Sequence, residues 1–362
     1  MKRTDFSVDW LFAACAPDTE LLPWNAQFTP VDLPHDWQIR HADDLYRDGT
    51  LFYRKYFFVT DVPGTRRMLW FGGAYMDTTV FVNGTEVGQW KYGYTSFWFD
   101  ITDALHEGQN EVLVRCNLRH PNSRWYSGAG LYRNVELWEA PDLHLMPDGL
   151  YVAAKEGDNG AWTVAVTAEA GSVTAASTGR TLTLHLTDDN GSLLGTAAIP
   201  ADAWAALPSL DGWRTGKETA IYKASHTFTL QDPALWDLDA PSFYHITAEL
   251  TGADGVTDTL TTRFGCRTIE ATPDCGLLVN HKRVLIKGVC IHHDFGCLGS
   301  AFEYSAAKRQ LEILKSMGVN SIRTGHTPPA PQFMDLADEM GILMDLESFD
   351  CWRSGKNPYD YG

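Results

Sequence analysis

Three short stretches near the carboxyl end of this 362-residue chain gather the residue types that bind and polarise hydroxyl groups. They are His292-His293-Asp294, Arg323-Thr324 with His326, and Glu347 followed by Asp350 and Trp352. Each comes directly after an apolar run that reads as a strand, and in parallel α/β folds functional residues collect beyond the carboxyl ends of strands. A single histidine at such a place is most often structural. Two imidazoles, a guanidinium and a carboxylate on one rim point to a binding site. His292, His326 and Glu347 could also supply three ligands to zinc, but neither HxH nor HExxH spacing is present, so no metal site is expected. Cys290 and Cys297 read as packed thiols, since neither shows a helix N-terminus or a fixed cation beside it. Gly128-Ala129-Gly130 lies between β-runs, the wrong context for a phosphate loop.

The elements that must position these residues begin at about residue 271. Val284–Ile291 is a nearly continuous apolar run, as in a strand buried on both faces. Ser305–Met317 has helical spacing, with Leu311, Leu314 and Met317 on one stripe, Ser305 as N-cap and Gly318 as the stop. A strand near Val319–Arg323, a helix near Pro331–Met340 and a strand over Ile342–Leu346 complete a β-α-β-α-β order, the opening of a parallel α/β fold.

Upstream, residues 1–140 read as short strands broken by turns, an all-β sandwich. Its clearest hairpin joins Thr78–Val82 to Glu86–Trp90 through Asn83-Gly84, since a type I′ turn needs two positive φ values. Residues 141–270 also alternate as strands but hold 7 basic and 17 acidic residues, the most acidic part of the chain. Seven or so short strands there suggest an immunoglobulin-like sandwich, which reads as a spacer because it has no titratable cluster at a turn.

Composition excludes several function classes. The formal net charge of −17 disfavours nucleic acid and acidic membrane surfaces as partners. No stretch approaches the roughly 18 apolar residues of a membrane span. The apolar run Trp10–Ala16 reads as a strand rather than a signal segment, and the seven scattered cysteines show no CxxC pair, so reduced thiols and a cytoplasmic location are expected. Thirteen tryptophans, 14 tyrosines and 17 phenylalanines suit either sandwich cores or sugar faces.

Two first-domain segments make the chain resemble a known family: Val31-Asp32-Leu33-Pro34-His35-Asp36-Trp37 and Ser123-Arg124-Trp125-Tyr126-Ser127-Gly128-Ala129-Gly130-Leu131-Tyr132-Arg133-Asn134-Val135. The second is similar to the signature that closes the sugar-binding domain of glycoside hydrolase family 2. Lys287–Asp294 and Gly318–Pro328 look like the family's first and second barrel strands. The resemblance covers essentially the whole chain and implies three domains. These are a galactose-binding-like jelly-roll over 1–140, an immunoglobulin-like β-sandwich over 141–270, and over 271–362 the truncated beginning, about three β/α units, of a (β/α)8 TIM barrel.

The family implies a retaining exo-glycosidase, with one glutamate as general acid/base and a second as nucleophile. In the family the first follows an asparagine at the end of the fourth barrel strand, and the second ends the seventh. By this alignment both lie beyond Gly362, so residues 1–362 contain no catalytic residue and are expected to be inactive alone. The last 90 residues, three strands of an eight-stranded barrel, are expected to be poorly packed or rearranged unless the rest is supplied. Asn110-Glu111, the chain's only Asn-Glu pair, opens a strand in the first domain and is a decoy; Glu347 comes one strand too early. The resemblance implies that His292 and His326 hydrogen-bond sugar hydroxyls and that Arg323 orients neighbouring carboxylates. Glu347 matches a family glutamate, though Leu346 stands where many members have aspartate. Asp48, Arg124 and Trp125 would reach the pocket from the first domain. The expected partner is a terminal β-galactoside, with a β-glucuronide or a non-catalytic carbohydrate-binding role as alternatives. No cofactor is expected within the chain, while a magnesium or sodium ion in the parent enzyme and a homo-oligomer remain open.

Overall fold

The computed structural model describes the chain apart from residues 42, 61–63, 124, 175–178, 208–217, 219, 253–254, 352 and 361–362. The first domain is a two-sheet antiparallel sandwich. One sheet has the order Lys2–Asp5, Val135–Pro141, Thr65–Phe71, Phe97–Asp100. The other runs Thr29–Val31, Trp10–Cys15, Gly49–Val59, Gly108–Leu118, Thr78–Val82, Thr85–Trp90. Alternation along Gly108–Leu118 turns Val112, Val114 and Cys116 into a core with Trp10, Leu51, Tyr53, Leu69 and Phe71. The hairpin between Thr78–Val82 and Thr85–Trp90 turns at Asn83 (φ 50°) and Gly84 (φ 78°), the two positive angles that a type I′ turn demands.

The second domain packs two four-stranded antiparallel sheets. One holds His144–Glu156, Ala161–Ser172, Ala220–Gln231 and Ala205–Leu207; the other holds Leu193–Pro200, Thr181–Asp188, Tyr244–Gly252 and Gly255–Phe264. Trp162, Val164, Val166, Leu184, Ile246 and Leu250 fill the space between them. This sandwich supports the helices that follow. Trp236 Nε1 donates to the Asp338 carbonyl (2.9 Å), and Arg263 Nη1 pairs with Glu339 (2.8 Å).

After a small antiparallel hairpin sheet, three strands pair in parallel: Gly288–Ile291, Ser321–Thr324 and Leu343–Asp345, in chain order. The helices Tyr304–Ser316 and Pro331–Glu339 connect them. Ala307, Leu311, Ile322, Phe333, Leu336 and Ala337 form the shared core. The segment has the β-α-β-α-β order read from the sequence.

Three expectations from the sequence need correction. The first strand covers only Gly288–Ile291 and is not buried on both faces, with Leu285 and Ile286 exposed. It lies at the edge of the sheet, and the helices cover one face only. The first helix starts at Tyr304 with Glu303 as N-cap, so Ser305 lies within the first turn. The cause is upstream: Phe302 N–H donates to the Tyr132 carbonyl (2.9 Å), which fixes where the chain turns into the helix. Met317 is 72% exposed, because Gly318 (φ 85°) ends the helix before the apolar stripe reaches it.

His35 is buried in the first sandwich with Nδ1 2.8 Å from the Tyr53 hydroxyl. Burial, helped by the Arg40 charge and opposed by Asp36, lowers its pKa from 6.5 to about 4. Above pH 6.5 neither state is protonated and the full stability is present. As pH falls from 6.5 towards 4 the unfolded chain takes up a proton that the folded chain refuses, so stability is lost at about 1.4 kcal/mol per pH unit. Urea unfolding of the wild type should therefore lose about 2 kcal/mol more between pH 7.5 and pH 5.0 than His35→Gln does. An equal pH dependence in the two proteins would contradict this.

Candidate active-site rim

Parallel register places the three polar stretches side by side. Ile291 pairs with Thr324 and Arg323 with Asp345, so His292, His326 and Glu347 leave the sheet at the same edge. Glu347 is the centre of the group. Its Oε1 accepts from Arg323 Nη2 (2.5 Å), its Oε2 from His326 Nδ1 (2.9 Å), and its own N–H donates to Thr324 Oγ1 (3.1 Å). Burial opposes ionisation of Glu347, but the hydrogen bonds from Arg323 and His326 outweigh it and hold the carboxyl below its usual range. In the neutral tautomer that donates from Nδ1 to Glu347, His326 Nε2 is an acceptor, suited to a hydroxyl donor. His292 is half-buried, and burial, then the neighbouring His326 and Arg323, lower its pKa. Its Nδ1 has no hydrogen-bond partner among the described residues.

The first sandwich supplies the wall over this rim. Trp125 lies 5.4 Å from the His292 ring and 4.9 Å from the His326 ring, and those two rings are 5.7 Å apart. The indole Nε1 is also without a partner among the described residues. The three rings form an aromatic corner at the strand ends of a kind that can take an apolar sugar face, although His292 Nδ1 and Trp125 Nε1 themselves are buried.

Asp36 holds that wall in place. The carboxylate is 2% exposed and accepts at Oδ2 from the Tyr126 hydroxyl (2.5 Å), the Ser300 N–H (2.8 Å) and the Ser300 hydroxyl (3.0 Å). Its Oδ1 accepts from the N–H groups of Gln38 (2.9 Å) and Ala129 (3.0 Å). Gly128, at φ 68°, passes so close that a Cβ there would sit 1.8 Å from Ser300 Oγ. His293 completes the clasp: Nε2 donates to the Ser127 carbonyl (2.8 Å), and burial keeps the ring neutral, its pKa lowered to about 4.

The structure therefore brings together His292, His326, Arg323, Glu347 and Trp125. Asp48 is engaged elsewhere, with Arg119 Nε (3.3 Å) and with His120 through the backbone N–H (2.7 Å) and Nδ1 (3.3 Å). Arg124 lies outside the described residues, as does Trp352. The reading of Cys290 and Cys297 as packed thiols is overturned, for both are exposed. Cys290 also has a cation beside it: strand register sets it opposite Arg323, whose Nη1 lies 3.3 Å from the sulfur. Sequence reasoning missed Asp36 and His293 as the clasp. Asp36 sits inside a recognised motif, but its partner Ser300 is 264 positions away and carries no local signal.

Family models match three consecutive parts of the chain. Residues 23–141 match the model described as "Glycosyl hydrolases family 2, sugar binding domain", 148–267 that described as "Glycosyl hydrolases family 2", and 271–356 its "TIM barrel domain". Among curated proteins, a β-galactosidase of Bacteroides ovatus is 34% identical over 99% of this chain and 42% of its own length. A β-glucuronidase of Bacteroides fragilis is 28% identical over 88% of the chain and 48% of its own. The crystal structure of a glycosyl hydrolase family 2 member from Bacteroides cellulosilyticus superposes with a TM-score of 0.86 at 28% identity, covering 100% of this chain and 48% of that one. The chain thus spans less than half the length of each of these relatives.

Replacing Asp36 with asparagine turns one of the two acceptors towards donors it cannot satisfy. Each buried donor left unpaired costs about 1–3 kcal/mol, so Asp36→Asn should lose about 2–4 kcal/mol. Thermal unfolding measures the loss, and proteolysis should become faster within residues 296–303, where Ser300 is released.

Proposed function

Because the chain belongs to glycosyl hydrolase family 2, we propose that it forms the amino-terminal part of a retaining exo-glycosidase that hydrolyses terminal β-D-galactosides. The rim supports this reading: a carboxylate, two imidazoles and a guanidinium at three parallel strand ends, closed by an indole from the first sandwich. In this role His326 and His292 bind sugar hydroxyls, Trp125 packs on the ring, and Arg323 with Glu347 fixes the orientation of His326. The pairing of Arg323 with Glu347 supports a neutral sugar over a uronate at this rim. The Arg323 guanidinium is already matched by Glu347 and has no spare charge for a second carboxylate. The β-galactosidase name of the 34%-identical relative supports the same choice.

Retaining hydrolysis needs two carboxyl groups about 5–5.5 Å apart, one protonated to serve the leaving oxygen and one ionised to attack. Glu347 fits neither role, since both its oxygens are held by cationic or N–H donors and its carboxyl is kept ionised. The rim therefore binds the sugar and presents its anomeric carbon, while the acid/base and the nucleophile come from later barrel strands.

Assays with p-nitrophenyl glycosides test this. The full-length protein should hydrolyse the β-galactoside with kcat/KM well above that for the β-glucuronide, and residues 1–362 alone should turn over neither. Turnover by residues 1–362 would show that the acid/base and nucleophile are misassigned, and a preference for the glucuronide would overturn the galactoside choice.

Within the full-length protein, Glu347→Gln and His326→Gln should each lower kcat/KM by about 10–100-fold, the range of one hydrogen bond to a charged group. Activities within twofold of wild type would remove these residues from the site.

A further inference from the structure

Arg133 is buried, 2% exposed, and its guanidinium meets no carboxylate among the described residues. Its N–H groups go to carbonyls instead: Nη1 to Gly72 (3.1 Å) and Tyr94 (2.9 Å), Nη2 to Pro328 (3.1 Å). The Tyr132 ring lies 5.0 Å away. A cation buried against neutral acceptors is expensive, and an apolar side chain would fill the space at lower cost. What the charge achieves is set by where the acceptors lie. Two belong to the first sandwich, whereas the third belongs to the loop between Ser321–Thr324 and the helix Pro331–Glu339, two residues after His326.

That loop has few other anchors. Pro328 and Pro329 have no N–H to donate. Gly325 N–H donates to the Ile291 carbonyl (2.8 Å) at its start, and Gln332 Nε2 donates to Asn134 Oδ1 (3.2 Å) beyond its end. Arg133 thus grips the middle of the loop with a planar fork whose other prong is fixed in the sandwich.

We propose that Arg133 is a positioning residue for sugar recognition, fastening the His326 loop to the first sandwich so that His326 stays bonded to Glu347 with Nε2 presented to a substrate hydroxyl. The proposal rests on the glycosidase reading above. It gives the contact between sandwich and barrel a role in binding besides holding the domains together.

The test is a double-mutant cycle in the full-length protein, with p-nitrophenyl β-galactoside as substrate and activity normalised to folded protein. Arg133→Lys keeps the charge but loses the fork. It should lower kcat/KM about 10-fold or more, and in a His326→Gln background the same change should cost less than twofold. Gln332→Ala, which removes only the partly exposed outer anchor, should show the same pattern at smaller size and serves if Arg133→Lys does not fold. Effects that multiply independently of His326, or an unchanged kcat/KM, would overturn the proposal. Hydrogen exchange over residues 325–330 reads the anchoring without turnover: it should rise in Arg133→Lys, and unchanged exchange would also overturn the proposal. A wild-type protein that hydrolyses neither galactoside nor glucuronide would sink the glycosidase reading instead, leaving the exchange measurement to decide the role of Arg133.

Discussion

A single buried carboxylate sets the relation between the first sandwich and the parallel sheet. Asp36 receives five hydrogen bonds from three places in the chain: its own turn, the Tyr126–Ala129 segment, and Ser300 after the first parallel strand. A carboxylate removed from water loses a large hydration energy, which only a full set of donors can offset. Because those donors come from both domains, the charge is stable only when the domains meet in one arrangement. The position of Trp125 over the rim follows, since it lies one residue before Tyr126.

Around this contact the fold spends polar groups in two ways. Asp36, Arg133 and His293 are enclosed and each bonds across the interface, so they fix geometry, although His293 Nδ1 has no partner among the described residues. At the rim, Glu347, Arg323 and His326 are only partly enclosed, and their mutual bonds leave specific atoms unspent. His292 Nδ1 and Trp125 Nε1 have no partner among the described residues. The bonds across the domain contact, those of Asp36 above all, therefore set where the rim side chains sit.

The three-strand parallel sheet shows the same logic in apolar terms. Its helices cover one face and bury Ile322, Phe333 and Leu336, while Leu285, Ile286 and Leu346 remain exposed. The apolar run at Val284–Ile291 therefore runs along an uncovered edge of the three-stranded sheet.

Much of this could be read from the sequence. Alternation with period two gave the sandwich strands, Asn83-Gly84 their clearest hairpin, and the change to helical period after residue 271 the β-α-β-α-β order. Polar residues after apolar runs marked His292, Arg323, His326 and Glu347, because strand ends are local features. Local pattern failed where a distant residue decided the outcome. Ser305 looked like a helix cap until the Phe302–Tyr132 hydrogen bond moved the start, and Cys290 looked inert until parallel register set it opposite Arg323. Asp48 looked available until Arg119 and His120 took its oxygens. The sequence by itself determined which elements form and which side chains stand at the ends of the parallel strands, since both depend on periodicity and neighbours along the chain. Only the tertiary structure decided which polar atoms are bonded and to what, because a hydrogen bond joins atoms that are close in space, whatever their separation in sequence.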